Sequence, residues 1–186
     1  MAMNQVYFFK NFLKDRNVAA IAETSQSTIR KILRKIDFTK DLVVVEYGPG
    51  TGVCSLPVLA RLSPNSRFIA IEANADFARQ LRTVKDPRLT VVEGDARDIE
   101  AILKNLDLPA ADIVISSIPF TFFPPATRRQ LVASTASVIN PGGAFLVYQY
   151  SPLMKGYLEE AFPKVRLSFS PLNIPAIFIM EARKTA

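Results

Sequence analysis

After residue 40 the chain alternates short runs built almost wholly of Val, Ile and other apolar residues with longer stretches of mixed polarity. The apolar runs fall at 42–47, 67–72, 89–93, 112–116, 144–150, 165–169 and 176–181. They do not alternate polar with apolar, so both faces of each strand must be covered, as in a parallel sheet lying between helices. Helical segments are predicted between them at 55–62, 75–84, 96–106, 125–138 and 153–161. The rhythm breaks at the end. Only Ser170-Pro171-Leu172-Asn173-Ile174-Pro175 separates the last two strands, too little for a crossover helix, so they pair antiparallel as a hairpin at the sheet's edge. The expected fold is a three-layer α/β sandwich with a seven-stranded, mostly parallel sheet and an antiparallel C-terminal hairpin. A chain of 186 residues is the size of one structural domain. Within it, residues 1–40 read as an N-terminal helical arm and 41–186 as the sheet-forming part.

The arm carries most of the charge. Its eight Lys and Arg against three acids give +5 of the net +6, which suits an anionic partner, either phospholipid or nucleic acid, or equally a solvated helix face. One helix is predicted at about 27–36, entered through Thr24-Ser25-Gln26-Ser27, whose hydroxyls can cap free N–H groups. Another is predicted at about 6–16. There Val6, Phe8, Phe9, Phe12 and Leu13 share an arc of about 160°, with Lys10 and Lys14 on the other side. That face either packs on the domain or lies in a lipid headgroup layer, its lysines near anionic headgroups.

Composition removes whole classes of chemistry. The chain has no histidine, so a Ser-His-Asp triad, a histidine base and a histidine-bound metal are all excluded. Cys54 is the single cysteine, so neither an intrachain disulfide nor a cysteine zinc site can form, and no metal is expected. The start lacks a basic n-region and no apolar run nears the ~18 residues of a spanning helix. A cytoplasmic location is therefore expected.

The first strand runs into Glu46-Tyr47-Gly48-Pro49-Gly50-Thr51-Gly52. Glycines Gly48, Gly50 and Gly52 let the backbone turn sharply and approach a ligand closely, with amides of the next helix start facing it. A dinucleotide fingerprint would need a further glycine where Val53 stands. Glu46 also suits a cationic or amine-bearing ligand and would repel a pyrophosphate. The second strand ends in Glu72, placed to bind both hydroxyls of a ribose. After the third come Asp95 and Ala96, where the carboxylate can accept from an adenine amino group. Any one acid after a strand is usually a cap or a solvated residue, but three at successive strand ends are not readily an accident.

With these motifs the sequence resembles the class I S-adenosylmethionine-dependent methyltransferases over essentially residues 20–182. The resemblance implies a Rossmann-like fold and S-adenosyl-L-methionine as cofactor. It implies that Glu46, Gly48, Gly50 and Gly52 hold the methionine part, Glu72 the ribose, and Asp95 with Ala96 the adenine. Ser116, Thr24 and Ser25 complete the implied cofactor set. The fourth strand ends Ser116-Ser117-Ile118-Pro119-Phe120, where amino-group methyltransferases acting on adenine carry Asn-(Ile/Leu/Pro)-Pro-(Tyr/Phe). Pro119 and Phe120 are kept, the latter implied to stack on the target, but Ser117 replaces the asparagine. A Pro turn followed by a core phenylalanine is the plainer structural account of the same residues.

Two groups within that family compete. Asn11-Phe12-Leu13-Lys14-Asp15-Arg16-Asn17-Val18 resembles the start of the ribosomal RNA adenine dimethyltransferases. Those enzymes also carry a C-terminal helical domain, which is not expected here. Bacterial phospholipid N-methyltransferases are similar at Ala19-Ala20-Ile21-Ala22-Glu23-Thr24-Ser25, Ser116-Ser117-Ile118-Pro119 and Asn173-Ile174-Pro175. This second resemblance implies methylation of a phospholipid ethanolamine amine by a protein bound peripherally to the inner face of a membrane. RNA and small-molecule acceptors are the alternatives. Without histidine the amine's proton must leave to water, a carboxylate or a tyrosine, with Tyr150, Tyr148 and Tyr7 as candidates and Tyr150 preferred at the end of the fifth strand.

Overall fold

The computed structural model describes residues 24–185. Seven strands form one sheet in the order β3-β2-β1-β4-β5-β7-β6. They are β1 (Val43–Tyr47), β2 (Arg67–Glu72), β3 (Leu89–Glu93), β4 (Ala111–Ser116), β5 (Ile139–Gln149), β6 (Lys164–Ser170) and β7 (Ile177–Arg183). The first five are mutually parallel. Strand β7 runs antiparallel between β5 and β6, so the C-terminal hairpin is in place and β6 is the outer edge.

Among the described residues, six α-helices cover the two faces. They are α1 (Gln26–Leu33), α2 (Ser55–Leu59), α3 (Ala75–Leu81), α4 (Ile99–Asn105), α5 (Pro125–Val138) and α6 (Met154–Ala161). Val58 and Leu59 of α2 and Leu81 of α3 pack with α1 on one face. Ile99 and Leu103 of α4, Leu131 and Val132 of α5, and Met154 and Leu158 of α6 fill the other. The strands between are apolar on both sides because both sides are covered, Val44 and Val45 being completely buried on opposite faces.

Helix α1 is held by its apolar stripe. Ile29, Ile32, Leu33 and Ile36 recur at the spacing of one helix face and all enter the core. Ser25 is its N-cap, accepting from the Thr28 N–H at 3.3 Å. Residues 24–40 are thus packed as part of the sandwich.

Boundaries differ where long-range contacts override local pattern. Helix α2 is shorter than the predicted 55–62, and the predicted 96–106 helix divides into a 3-10 turn, Ala96–Asp98, followed by α4. Strand β5 begins at Ile139 rather than 144 and ends at Gln149, one residue before Tyr150. The stretch containing Pro141, Gly142 and Gly143 lies within β5, where Lys184 N–H donates to the Gly143 carbonyl at 3.1 Å. A Cβ on Gly143 would sit 2.6 Å from the Asp112 carbonyl oxygen, so the close approach requires glycine.

Candidate active site

The order of the sheet reverses between β1 and β4, since β1 leads outward to β2 while β3 crosses back to β4. The carboxyl ends of strands at such a reversal form a crevice. The sequence-predicted residues on β1, β2 and β4 lie at these ends, and register keeps them level: Tyr47 is opposite Ile71 on one side and Ser116 on the other, and Glu72 is opposite Glu93.

The glycine loop leaves β1 with Gly48, Gly50 and Gly52 at φ of 64°, 56° and 84°. A Cβ on Gly50 would meet nothing within 4 Å, so that turn of the loop faces open space. The loop passes directly into α2, where Leu56 N–H donates to the Gly52 carbonyl at 3.0 Å. Pro57 falls in the first turn of α2, where a missing N–H costs no hydrogen bond.

Glu46 is completely buried beneath this loop. Ser55 Oγ donates to its Oε2 at 2.5 Å, while Oε1 is buried with no N–H or O–H donor among the described residues. Burial pushes the carboxyl up to about 7 from its ordinary 4.5, against the opposing hydrogen bond of Ser55 and the neighbouring Cys54 thiol. Burial also raises Glu72. Its Oε2 accepts from Gly50 N–H and its Oε1 from Asn74 N–H, each at 2.9 Å, and these bonds favour the ionised form. Asp95 is more open and caps the 3-10 turn through the Arg97 N–H at 2.9 Å. Burial raises it, but the Arg97 guanidinium at 2.6 Å outweighs this and holds it below the ordinary carboxylate range. Ala96 is buried beside it.

Across the reversal, Ser116 is buried, its Oγ accepting from Ile118 N–H at 3.3 Å. Ser117 Oγ donates to the Gly48 carbonyl at 3.1 Å, tying the β4 end to the glycine loop. Pro119 leads into a 3-10 turn, Phe120–Phe122. That turn carries the Phe120 ring into the core, fully buried and edge-on to Phe123 at 6.0 Å, so the ring is not presented to the crevice for stacking. Phe122 is the partly exposed ring of the turn. Tyr150 is 45% exposed just past β5, with its phenol raised by burial. Thr24 and Ser25 stand at the start of α1, where Ser25 N–H donates to Asn173 Oδ1 at 2.7 Å. Phe8, Phe9, Phe12, Leu13, Lys10, Lys14 and Tyr7 lie outside the described residues.

Several neighbours escaped sequence reasoning. Tyr148, named only as a proton acceptor, is buried with its hydroxyl in reach of Ser117 and Cys54, and burial holds its phenol well above its ordinary value. Its side was legible, since alternation from Leu146 puts it on the Glu46 face. Gln149 is buried, its Nε2 donating to the Ser151 carbonyl at 2.8 Å and its Oε1 unpartnered among the described residues. Nothing local marked it. No cluster of His, Cys, Asp and Glu able to hold a metal occurs among the described residues.

Residues 4–121 match the ribosomal RNA adenine dimethylase family. The chain belongs to that family. It is a class I S-adenosylmethionine-dependent methyltransferase, and its cofactor is S-adenosyl-L-methionine. Among relatives of this methyltransferase, the ornithine lipid N-methyltransferase of Singulisphaera acidiphila is 32% identical over 173 residues, covering 91% of this chain and 90% of that one. The ribosomal RNA small subunit methyltransferase A of Dechloromonas aromatica is 32% identical over 121 residues, covering 63% of this chain but 40% of that one. The structure of magnesium protoporphyrin IX methyltransferase from Synechocystis PCC 6803 with bound SAM superposes with a TM-score of 0.65 at 12% identity. It covers 94% of this chain and 85% of that one. At that identity the likeness concerns the fold. The methyltransferase crevice fits its cofactor chemically, combining an orphaned buried carboxylate oxygen on Glu46, open space at Gly50 and acids at successive strand ends.

Proposed function

We propose that this enzyme transfers a methyl group to the primary amine of a membrane lipid head group. Phosphatidylethanolamine and ornithine-type lipids are the candidate acceptors. The observation that carries this reading is the hydrogen-bonding character of the β4 and β5 ends. The Ser117 hydroxyl spends its single proton on the Gly48 carbonyl, and Gln149 commits one of its two amide N–H groups to Ser151. The lone pairs of Ser117 Oγ and the unpartnered Gln149 Oε1 are left as acceptors. An ammonium head group, which carries only N–H donors, suits two such acceptors. The near end-to-end match to an ornithine lipid N-methyltransferase supports the same choice.

In this reading the Glu46 carboxylate faces the cofactor's ammonium group, Glu72 its ribose hydroxyls and Asp95 its adenine amino group, with Ala96 against the ring. Gly48, Gly50 and Gly52 let the loop close on it, while Ser116, Thr24 and Ser25 shape the rim. When bound, S-adenosylmethionine supplies an electrophilic methyl group on a sulfonium. The chain's own residues would hold the acceptor nitrogen in line with that methyl group, and this alignment would provide most of the acceleration. A lipid amine has a reference pKa of about 10 and arrives protonated. Tyr148 and Tyr150, raised by burial, stay neutral near pH 7 and are poor bases, so the proton leaves to water before attack. No helix among the described residues is long and apolar enough to cross a membrane, and we place the enzyme peripherally on the inner, cytoplasmic face. The test offers radiolabelled cofactor with phosphatidylethanolamine, ornithine lipid, ribosomal RNA and small amines in parallel. Label in a lipid amine is the expected result; label in RNA alone overturns the proposal.

A further inference from the structure

We propose that the turn between β6 and β7 is a membrane-inserting contact, with Leu172 and Ile174 entering an anionic bilayer; this rests on the lipid reading above. The turn has a rigid inward anchor. Asn173 is 2% exposed, its Oδ1 accepting from Ser25 N–H at 2.7 Å and Thr28 Oγ1 at 3.4 Å, while its Nδ2 donates to the Pro175 carbonyl at 2.8 Å. Pinning Asn173 inward leaves its two neighbours outward. Leu172 is 73% exposed and Ile174 86%, the highest among the exposed large hydrophobics. Two aliphatic tips on a fixed turn present apolar surface without an ordering cost on docking.

The turn's position fits the proposed substrate. Phe178 pairs with Gln149, so the turn stands beside the carboxyl end of β5, on the same sheet edge as the glycine loop and the β4 end. A bilayer meeting this edge would deliver head groups to the crevice while the lipid stays in its leaflet.

Charge identifies the partner. Helix α1 packs on β6 through Thr28 Oγ1 to Ser170 Oγ at 2.9 Å and Lys31 Nζ to the Phe169 carbonyl at 2.7 Å. From 26 to 36 the chain carries Arg30, Lys31, Arg34 and Lys35 and no acid, and from 162 to 180 it carries Lys164 and Arg166 and no acid. Of the described carboxylates nearby, Glu181 is buried and bound by Lys35 at 2.9 Å and Arg183 at 2.5 Å, and Asp37, beyond the C-terminal end of α1 and away from the turn, lies 3.9 Å from Lys40. At a rise of 1.5 Å per residue, Arg30 lies about 6 Å along the axis from the helix start, within a Debye length of about 8 Å. Apolar tips with a cationic flank match acyl chains beneath anionic headgroups. RNA would satisfy the cations and leave both tips in water.

The chain contains no tryptophan, so Leu172→Trp makes the turn its own fluorophore. Vesicles of phosphatidylcholine with about 30% phosphatidylglycerol should shift the Leu172→Trp emission to the blue, with quenching by brominated lipid; pure phosphatidylcholine should do less. The L172S/I174S double variant should lose about tenfold or more in vesicle partition. Its melting temperature and its methylation of a detergent-dispersed lipid amine should match wild type. Cosedimentation with an unmoved Leu172→Trp spectrum, or a double variant that partitions like wild type, overturns the proposal even where dispersed lipid is methylated. A spectrum that responds to ribosomal RNA and not to vesicles also overturns it. Insertion without methylation of any lipid amine would uphold the contact and remove the substrate reading.

Discussion

Replacing Glu46 with Gln should stabilise the cofactor-free protein at alkaline pH and weaken its hold on the cofactor. In the folded state the Glu46 carboxyl titrates near 7, against an ordinary 4.5, because it is buried. The folded state therefore binds this proton more tightly than the unfolded chain does. Its contribution to stability is complete below pH 4.5 and is lost as pH rises through 7. Between pH 5 and 8 the loss is about 2–3 kcal/mol, or about 5–10 °C in melting temperature for a chain of this size. Glutamine is neutral throughout and can still accept from Ser55, so Glu46→Gln escapes that loss. Glu72 is also raised by burial and lowers stability with pH in both proteins, so the measured quantity is the difference between them. Thermal melts across pH 5–8 should show the variant gaining on wild type as pH rises. Cofactor titrations at pH 8 should show the reverse, about 10–100-fold weaker binding for loss of a charge-assisted hydrogen bond. A stability difference that stays constant from pH 5 to 8 would refute the buried-carboxylate reasoning, and undiminished cofactor affinity would refute its role.

Glu72→Ala should stay folded yet lose the rise in melting temperature that S-adenosylmethionine gives wild type by binding the native state; an intact rise removes Glu72 from the cofactor site. Asn173→Ala strands the Ser25 N–H and removes the turn's own bond to Pro175, while the Thr28 hydroxyl keeps Ser170 Oγ, and should cost about 1–3 kcal/mol in urea denaturation. A loss under about 0.5 kcal/mol would mean the turn is not pinned there. Methyl transfer to a lipid amine should accelerate up to about tenfold per pH unit from 7 to 9 as the free amine grows. A flat profile over that range would show that deprotonation is not limiting.

The sheet was legible because burial on both faces leaves a compositional mark: runs such as those ending in Tyr47 and Glu72 contain almost nothing polar until the functional end. The same logic exposed the carboxylates, since an acid closing an apolar strand stands out. Legibility failed where structure is decided by partners distant in sequence. Nothing near Gly143 announces that Lys184 will draw it into β5. For Phe120 the sequence left stacking and core packing both open, and the path of the chain after Pro119 decides for the core. Gln149 drew no notice because its side chain matters through what Ser151 leaves unused.

One anchoring residue joins the elements that the proposed function needs to act together. Asn173 holds the hairpin turn and the start of α1 in a single hydrogen-bonded unit. Beside that unit the Ser117 hydroxyl fastens the β4 end to the glycine loop. Rim and crevice are therefore set by bonds between backbone and short, stiff side chains, which lose little rotamer freedom on ordering. On the flank, Arg30 of α1 and Arg34 at its C-terminal cap supply charge, where orientation matters less than sign. A surface that must meet a fluid bilayer while presenting a head-group nitrogen to a fixed methyl group requires this division: geometry from Asn173 and Ser117, attraction from Arg30 and its neighbours, and no demand that either do the other's work.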